Sequence, residues 1–455
     1  MNLLFLQPGD PARKNPAPFF HHDTGVLASL LRHEGFDCTL TCVGGYDPQR
    51  LAEAVETARP DGVLLYLSPY RVGAARRTVA ELSGRHGLRV GGYGPFATCR
   101  PRRAASMPGL HALLVGECER ATVELALAWR DGREPADVPG LWLMTKSRIV
   151  KGARPEAVAD LDGLPDPDRG LFGDSASGAT RGEIGFKAGR GCPMWCAHCV
   201  NDWYMDLHAS SRTPFVRRRG VGRLLDEVAG AVRRCPAATS VVFHDHAFAM
   251  DADRLRRFAD EYPRRSVLPF RCFVHLGRLN AEIAGLLASA GCRRVDTLIG
   301  SGSRLIREDI LSIHLSDSRI VEGCRLLRDA GLHVTAEVLV GAPYESEITI
   351  EETARLLERT GVDAVRASVF YPTPGSRAAE MCADHGWLSG RGEGEYWRGR
   401  SVLNLPSLSP EEIGQARDRL AARFRRPRWR ALGRLLGWPA PKPAPRARRR
   451  RIGSG

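Results

Sequence analysis

The stretch Gly189-Arg-Gly-Cys192-Pro-Met-Trp-Cys196-Ala-His-Cys199 places three cysteines directly after a short apolar strand predicted at 184–187. Three thiolates within eight residues can hold an iron–sulfur cube. No fourth cysteine lies nearby, so one iron of such a cube would keep an open coordination position. The motif therefore predicts an iron–sulfur site with room for a further ligand.

Two other interpretations of the cysteine motif stay open at this point. A structural zinc ion needs four ligands, usually as two separated pairs, and His198 is too close to Cys199 to serve easily with it. His208 could complete a zinc site instead. The three thiols could also form a chance cluster of inert side chains.

An alternating strand and helix pattern follows the cysteine motif. Strands are predicted at 184–187, 240–243, 270–275, 294–299, 334–340 and 364–370, and the clearest helices at 221–234, 280–290, 318–330 and 348–360. Ile283, Leu286, Leu287 and Ala290 show the spacing of a helix with one buried face. Six strand–helix units are fewer than the eight of a complete barrel. We therefore predict a partial barrel over 183–385.

The first 150 residues contain a second alternating block. Strands are predicted at 2–6, 38–43, 62–67, 88–91 and 112–115, with helices between them. This pattern indicates a doubly wound parallel sheet, in which ligands bind beyond the carboxyl ends of the strands. The loops at those ends supply candidate ligand-binding residues, namely Pro8, Gly9, Ser68, Pro69, Gly92, Gly94, Pro95, Gly116 and Glu117.

The remaining segments are predicted to be a linker between the two domains and the carboxyl-terminal part of the chain. Residues 151–182 have the composition of a linker, 386–424 of a small helical segment, and 425–455 of a basic disordered tail. The net charge is +14, but 12 Lys and Arg with no acid lie from Arg423 onward, and subtracting 12 from 14 leaves +2 for the rest. The tail is thus a solvated arm or a polyanion contact, and nothing upstream resembles a nucleic-acid-binding module.

Composition excludes several classes of protein. The chain of 455 residues is 43% apolar and 26% charged, which is typical of a soluble protein of two or three domains. The longest apolar runs, such as 62–67, are far shorter than the ~20 residues of a membrane helix. The amino terminus lacks the marks of a signal peptide. We expect a cytoplasmic protein whose nine other cysteines are free.

The motif Cys192-x-x-x-Cys196-x-x-Cys199 after the first strand of a six-unit barrel resembles the radical S-adenosylmethionine (SAM) enzymes, over roughly 183–385. The resemblance implies that the three cysteines bind a 4Fe-4S cluster. It also implies that SAM occupies the open iron and is cleaved, by an electron from a donor such as flavodoxin or ferredoxin, to a 5′-deoxyadenosyl radical. His198 replaces the aromatic residue that the family usually has before the third cysteine.

Further matches to the family follow the order of the strands. The resemblance implies that His198, Gly300, Ser301, Val340, Gly341 and Pro343 contact SAM. Gly300 replaces an acid of the family's loop, whereas Val338 to Glu345 is close to its GxIxGxxE element. His244, Asp245 and His246 follow the second strand and Tyr371 the sixth, where they would line the catalytic site. A packed or solvated role for these four side chains stays open.

The first block resembles the domain of cobalamin-binding radical SAM enzymes, through Gly91-Gly92-x-Gly94-Pro95 and Val115-Gly116-Glu117-x-Glu119. The implied fold is α/β: a doubly wound, Rossmann-like domain, then a partial (β/α)6 radical SAM barrel and a small helical segment. Asp-x-His-x-x-Gly is absent, so cobalamin would bind without a lower histidine ligand. A degenerate domain without cobalamin is the alternative.

The resemblance implies the usual reaction of this subclass, which is methylation of an unactivated carbon or phosphorus of a small molecule, here a specialised metabolite. One SAM would methylate cobalamin and a second would supply the radical. Trp387, Tyr396, Trp397 and Asn404 are candidate substrate contacts. The competing hypotheses are a cobalamin-dependent cyclisation or rearrangement, a methylthio transfer to RNA, which should show more cluster cysteines, and a zinc-stabilised nucleic-acid-binding protein.

Overall fold

The computed structural model describes residues 1–9, 20–135, 137–145, 148–173, 182–209, 213–392 and 394–425. The predicted basic tail lies outside the described residues from position 426 onward. Among the described residues, no helix combines the length and apolar character needed to cross a bilayer.

The amino-terminal domain contains one sheet of seven strands in the order β2-β1-β3-β4-β5-β6-β7. The strands are β1 (Asn2–Pro8), β2 (Asp37–Val43), β3 (Gly62–Tyr66), β4 (Arg89–Tyr93), β5 (Ala112–Leu114), β6 (Leu141–Met144) and β7 (Ile149–Lys151). The first five are parallel, which confirms the predicted doubly wound sheet. The antiparallel pair β6 and β7 was not predicted, because strands of four and three residues are too short to show a period.

Helices cover both faces of this sheet. They are α1 (His22–His33), α2 (Pro48–Ala58), α3 (Val72–Gly84), α4 (Pro95–Cys99), α5 (Pro101–Ala105) and α6 (Glu119–Arg130). Alternate residues of β1 point to opposite faces: Leu3 and Phe5 belong to the core under α1 and α6, whereas Leu4 and Leu6 belong to the core under α2 and α3. This burial on both faces explains the continuous apolar run of the strand.

The second domain contains six parallel strands in the order β15-β14-β13-β12-β11-β8. These strands are β8 (Glu183–Phe186), β11 (Ser240–Phe243), β12 (Phe270–Phe273), β13 (Cys292–Gly300), β14 (His333–Val340) and β15 (Ala364–Val369). A short antiparallel ribbon of β9 (Gly189–Arg190) and β10 (Arg217–Arg218) flanks the cysteine motif. The strand order is sequential except for this ribbon, which confirms the predicted partial barrel.

The helices of the second domain lie between its strands and after them. They are α7 (Asn201–Leu207), α8 (Val221–Arg234), α9 (Ala252–Arg265), α10 (Ala281–Ser289), α11 (Asp317–Asp329), α12 (Glu347–Thr360), α13 (Arg377–Asp384), α14 (Gly394–Trp397) and α15 (Pro410–Arg423). The last helix packs against β15 and α12, and its residues Ile413 and Leu420 are buried in the barrel core. The carboxyl-terminal segment is therefore part of the barrel.

Candidate active site

The cysteine motif forms a loop between β9 and α7 that is held by hydrogen bonds at several points. Cys196 is buried, whereas Cys192 and Cys199 are half-buried. The Asn201 amide donates to the carbonyl oxygens of Cys192 at 2.7 Å and Met194 at 3.0 Å. The Cys199 amide donates to the Cys196 carbonyl at 3.0 Å. These bonds fix the backbone that carries the three thiols.

The three thiols suit an iron–sulfur cluster better than a single ion. Burial raises the pKa of each thiol, that of Cys196 to about 12, so metal binding must displace their protons. Among the described residues, no three His, Cys, Asp or Glu side chains converge as ligands of one ion. A cube needs no such convergence, since each thiolate binds a different iron. The donor set of three thiols on one fixed loop fits a cube with an open iron.

His208, the fourth ligand of the zinc alternative, lies at the far end of α7 from the cysteine loop. The helix comprises the seven residues Asn201–Leu207 and therefore separates His208 from Cys199 by about 10 Å. Within the described part of the chain, His208 and the cysteines do not form a group of three or more side chains that could hold one metal ion.

The segment after β11 brings three titratable side chains to the barrel mouth. The Asp245 carboxylate accepts hydrogen bonds from the amides of Ala188 and Gly189, both at 2.6 Å, and burial raises its pKa to about 6. Asp245 thus ties β11 to the backbone that leads into the cysteine loop. His244 and His246 reach the surface, but the protein packed around their rings desolvates both imidazoles and so lowers their pKa values, that of His244 to about 4. Both imidazoles are neutral at pH 7.

Two further histidines belong to the site, His198 within the cysteine loop and His275 beside it. Nδ1 of His198 is buried and has no hydrogen-bond partner among the described residues, and burial lowers the pKa of this imidazole to about 4. Nε2 of His275 lies 3.8 Å from Sγ of Cys192. The His275 ring is 6.5 Å from that of His246. The mouth of the barrel therefore presents neutral nitrogen donors and acceptors around the cysteine loop.

The predicted SAM contacts Gly300 and Ser301 lie at the last residue of β13 and directly after it. Ser301 is buried, and its hydroxyl lies 3.2 Å from that of Thr353 in α12, so the side chain serves packing inside the barrel. The fully buried Arg307 donates to the carbonyl oxygens of Ser301 at 2.9 Å and Gly302 at 3.1 Å. The loop after β13 can therefore contact a ligand through its backbone groups rather than through the serine hydroxyl.

Val340 ends β14, and Gly341 and Pro343 lie in the loop after it; all three are buried. Gly341 has a φ of +87°, and a Cβ there would lie 2.5 Å from Ile413 of α15. Its amide donates to the buried Glu345 carboxylate, whose pKa burial raises to about 8. The loop is therefore shaped by a glycine, by a buried carboxyl group and by the last helix.

Several predicted cobalamin contacts lie at the carboxyl edge of the amino-terminal sheet. Pro8 and Ser68 line a shallow, open pocket at this edge. Arg71 donates to the carbonyl oxygens of Gly9 and Gly44, and thereby joins the loops after β1 and β2. The other predicted contacts at this edge are Pro69, which is buried beside Ser68, and Gly94 and Pro95 at the start of α4.

Three of the predicted cobalamin contacts also have packing or domain-contact roles. Gly92 lies inside β4, where a Cβ would come within 2.6 Å of Leu67. A Cβ on Gly116 would come within 2.8 Å of Pro155. The Glu117 carboxylate forms ion pairs with Arg190, at 3.0 Å, and with Arg217. Close packing and ion pairing are therefore observed at these three positions, and their contact with cobalamin stays a prediction.

Three tyrosines meet where the two domains and the carboxyl-terminal segment come together. The ring of Tyr396 stacks on that of Tyr70, with 4.7 Å between centroids, and Tyr371 lies 4.9 Å from Tyr70 and 4.8 Å from Tyr396. We call this group the tyrosine cluster. Of the other predicted substrate contacts, Trp387 is buried and Asn404 is exposed, and the side chain of Trp397 lies outside the description.

Three residues at the site, Asn201, His275 and Arg307, were not among the predicted site residues. His275 lies just beyond β12, so the rule that ligands bind at the carboxyl ends of barrel strands could have marked it. Asn201 and Arg307 act through backbone carbonyls. No spacing in the sequence indicates such contacts.

Comparisons with known proteins agree with this arrangement. Residues 186–357 match the family model described as the Radical SAM superfamily. The anaerobic magnesium-protoporphyrin IX monomethyl ester cyclase of Cereibacter sphaeroides is 23% identical over 343 residues, which cover 72% of this chain and 54% of the cyclase. The chain thus spans about half the length of this curated relative.

Two solved structures share the fold over most of the chain. The radical SAM methyltransferase TsrM from Kitasatospora setae has a TM-score of 0.65 and 18% identity, and the match covers 85% of this chain and 77% of TsrM. The cobalamin-dependent radical SAM enzyme OxsB has a TM-score of 0.63 and 17% identity, with 85% and 56% covered. TsrM has been solved with cobalamin and a [4Fe-4S] cluster bound.

These findings assign a radical SAM domain to residues 186–357 of the chain. Its radical SAM domain implies a 4Fe-4S cluster and SAM as cofactors. Its amino-terminal domain and barrel together have the fold of cobalamin-dependent radical SAM enzymes.

Proposed function

We propose that this chain is a cobalamin-dependent radical SAM methyltransferase that acts on a small molecule. The observation that carries the proposal is the contact between Arg190, two residues before Cys192, and Glu117, which follows β5 of the amino-terminal sheet. This contact sets the cysteine loop against the edge of the sheet at which a doubly wound domain binds its ligand. Two cofactors bound at these sites would face a common space.

The residues at each site suit a different group. Cys192, Cys196 and Cys199 would hold the cluster, and the backbone at Gly300 and Gly341 with His198 would hold SAM. Pro8, Ser68, Gly94 and Pro95 would contact the corrin, without a histidine ligand from below. When bound, these cofactors supply a 5′-deoxyadenosyl radical and a transferable methyl group.

The chain's own side chains would orient the substrate and exclude water. The tyrosine cluster joins the amino-terminal domain to the carboxyl-terminal segment and can close one side of the space between the domains. Desolvation lowers the pKa values of His244 and His246, so their imidazoles are neutral and can accept or donate hydrogen bonds there.

Anaerobic purification and reconstitution with iron, sulfide and cobalamin tests the proposal. We expect about four iron atoms and one cobalt per chain, and transfer of deuterium from methyl-labelled SAM to the product of a substrate found by screening. Cys192→Ala should lose the cluster, whereas Cys324→Ala, which removes a buried thiol of α11, should keep it. A reconstituted chain that contains iron but no cobalt would still be compatible with radical chemistry. It would overturn the proposal that cobalamin transfers the methyl group.

Cyclisation or rearrangement without methyl transfer is a second candidate function. It is favoured by the similarity to a magnesium-protoporphyrin ester cyclase. The same labelled assay separates the two functions: a cyclase would turn over substrate and SAM and give a product without deuterated methyl groups.

A further inference from the structure

We propose that His275 donates a hydrogen bond from Nε2 to the sulfur of Cys192 in the cluster-loaded enzyme, and so raises the reduction potential of the cluster. The inference rests on the proposed function, because it needs a cluster on the three cysteines. It makes His275 a positioning residue that acts on the cluster through one of its ligands.

The geometry for this bond is present in the fold. Nε2 of His275 lies 3.8 Å from Sγ of Cys192, within the range of hydrogen bonds to sulfur. The backbone at His275 is fixed, because the amide of Val274 donates to the Asp296 carbonyl at 3.0 Å and Leu276 is fully buried. The ring also contacts Phe273, with 5.2 Å between centroids. Both partners of the bond are thus held by their own surroundings.

Metal binding decides the direction of the bond. Without metal, either the Cys192 thiol or the imidazole could be the donor. An iron-bound cysteine has lost its proton, so its sulfur can only accept, and a neutral imidazole with its hydrogen on Nε2 must donate. Hydrogen bonds to cluster sulfurs are among the factors that set the potential. An N–H directed at the sulfur stabilises the more negative, reduced cluster.

The test is the midpoint potential of the cluster, measured by EPR-monitored redox titration of the reconstituted full chain at one pH. His275→Phe keeps a planar ring without the donor and should give a more negative potential. His275→Gln restores an N–H donor and should move the potential back toward that of the wild type. His33→Phe, at an exposed position of α1 in the other domain, should leave it unchanged. Equal potentials for the wild type and a His275→Phe chain with full iron content would overturn the inference.

A second measurement needs no variant at the site. In the reduced wild type with ¹⁵N-labelled histidine, electron–nuclear double resonance should show a histidine nitrogen and an exchangeable proton coupled to the cluster. Their absence would overturn the inference even if His275→Phe fails to assemble a cluster. A wild-type chain that binds no cluster at all would instead overturn the proposed function.

Discussion

Arg190 forms an ion pair with Glu117 across the boundary between the two domains, with 3.0 Å between Nη1 and Oε2. Arg217 of the adjoining strand β10 donates to the same carboxylate. Both arginines belong to the ribbon that flanks the cysteine loop. The position of the loop therefore depends on a carboxylate of the other domain.

Removal of this carboxylate should loosen the contact between the domains. Breaking a buried ion pair on one side costs about 3–5 kcal/mol, so Glu117→Ala should lower the melting temperature and speed limited proteolysis. Asp329→Ala, which breaks an exposed pair with Arg325, should cost less than about 1 kcal/mol. Equal effects of the two substitutions would contradict the proposed role of Glu117.

The effect of Glu117→Ala should also depend on pH. Burial opposes ionisation of Glu117, but its bond to Arg217 and the charge of Arg190 leave its pKa below the ordinary value of 4.5. The stabilisation is therefore complete above the unfolded pKa and is lost as the pH falls through the folded one. Melting temperatures of wild type and variant, measured at pH 7 and in acid, should converge as the pH drops.

Asp245 should produce the opposite pH dependence. Burial raises its pKa from 3.8 to about 6, so the folded state binds this proton more tightly than the unfolded chain does. The free energy of unfolding should then decrease as the pH rises between about 4 and 6. It should stay lower at higher pH, because the buried carboxyl group is ionised there. Asp245→Asn should remove this pH dependence. It should also leave one backbone amide without an acceptor, which destabilises the fold by about 1–3 kcal/mol.

Thermal denaturation of both forms across this pH range measures the effect of Asp245. Asp253→Asn, at an exposed position of α9, serves as the matched control and should keep the slope of the wild type. A slope that survives in Asp245→Asn would assign the titration to another group.

Gly341→Ala should destabilise the barrel and weaken SAM binding. A Cβ at φ +87° is strained by about 1–2 kcal/mol and would also displace Ile413. Gly285→Ala is a matched control, because a Cβ on this glycine of α10 meets nothing within 4 Å and should stabilise the helix by about 0.5–1 kcal/mol. Melting temperature and calorimetric SAM affinity are the measurements, and an unchanged Gly341→Ala chain would contradict the expectation.

Arg307→Met should be among the most destabilising substitutions in the barrel. It removes a buried charge that pairs with Asp317 at 2.8 Å, and it leaves the carbonyls of Ser301 and Gly302 without their donor. We expect a loss of about 3–5 kcal/mol. Arg304→Met, on the same turn but exposed and paired with Glu308, should change stability by less than about 1 kcal/mol in urea denaturation.

The architecture could be predicted from the sequence because most of its elements carry strong local signals. The helix predicted at 221–234 is found at Val221–Arg234, and Pro48 begins a helix that Asp47 caps. The strands β6 and β7 could not be predicted, because they form only by pairing with the free edge of β5 in the folded sheet.

The candidate site was harder to predict than the fold. The cysteine loop and the segment after β11 follow strand ends, where spacing and order are informative. Glu117 and Gly92 mark the limit of that reasoning: both belong to glycine- and acid-containing segments of ligand-binding type, yet one pairs with Arg217 and the other packs on Leu67. Which partner a polar or small residue meets depends on long-range packing, which local sequence does not encode.

The contact between Gly341 and Ile413 has a practical consequence for anyone who wishes to transplant this barrel. A hybrid enzyme cut after the sixth strand would expose the turn at Gly341, because the residue that presses on it lies in the last described helix. Chimeras should therefore exchange the barrel together with α15 as one cassette.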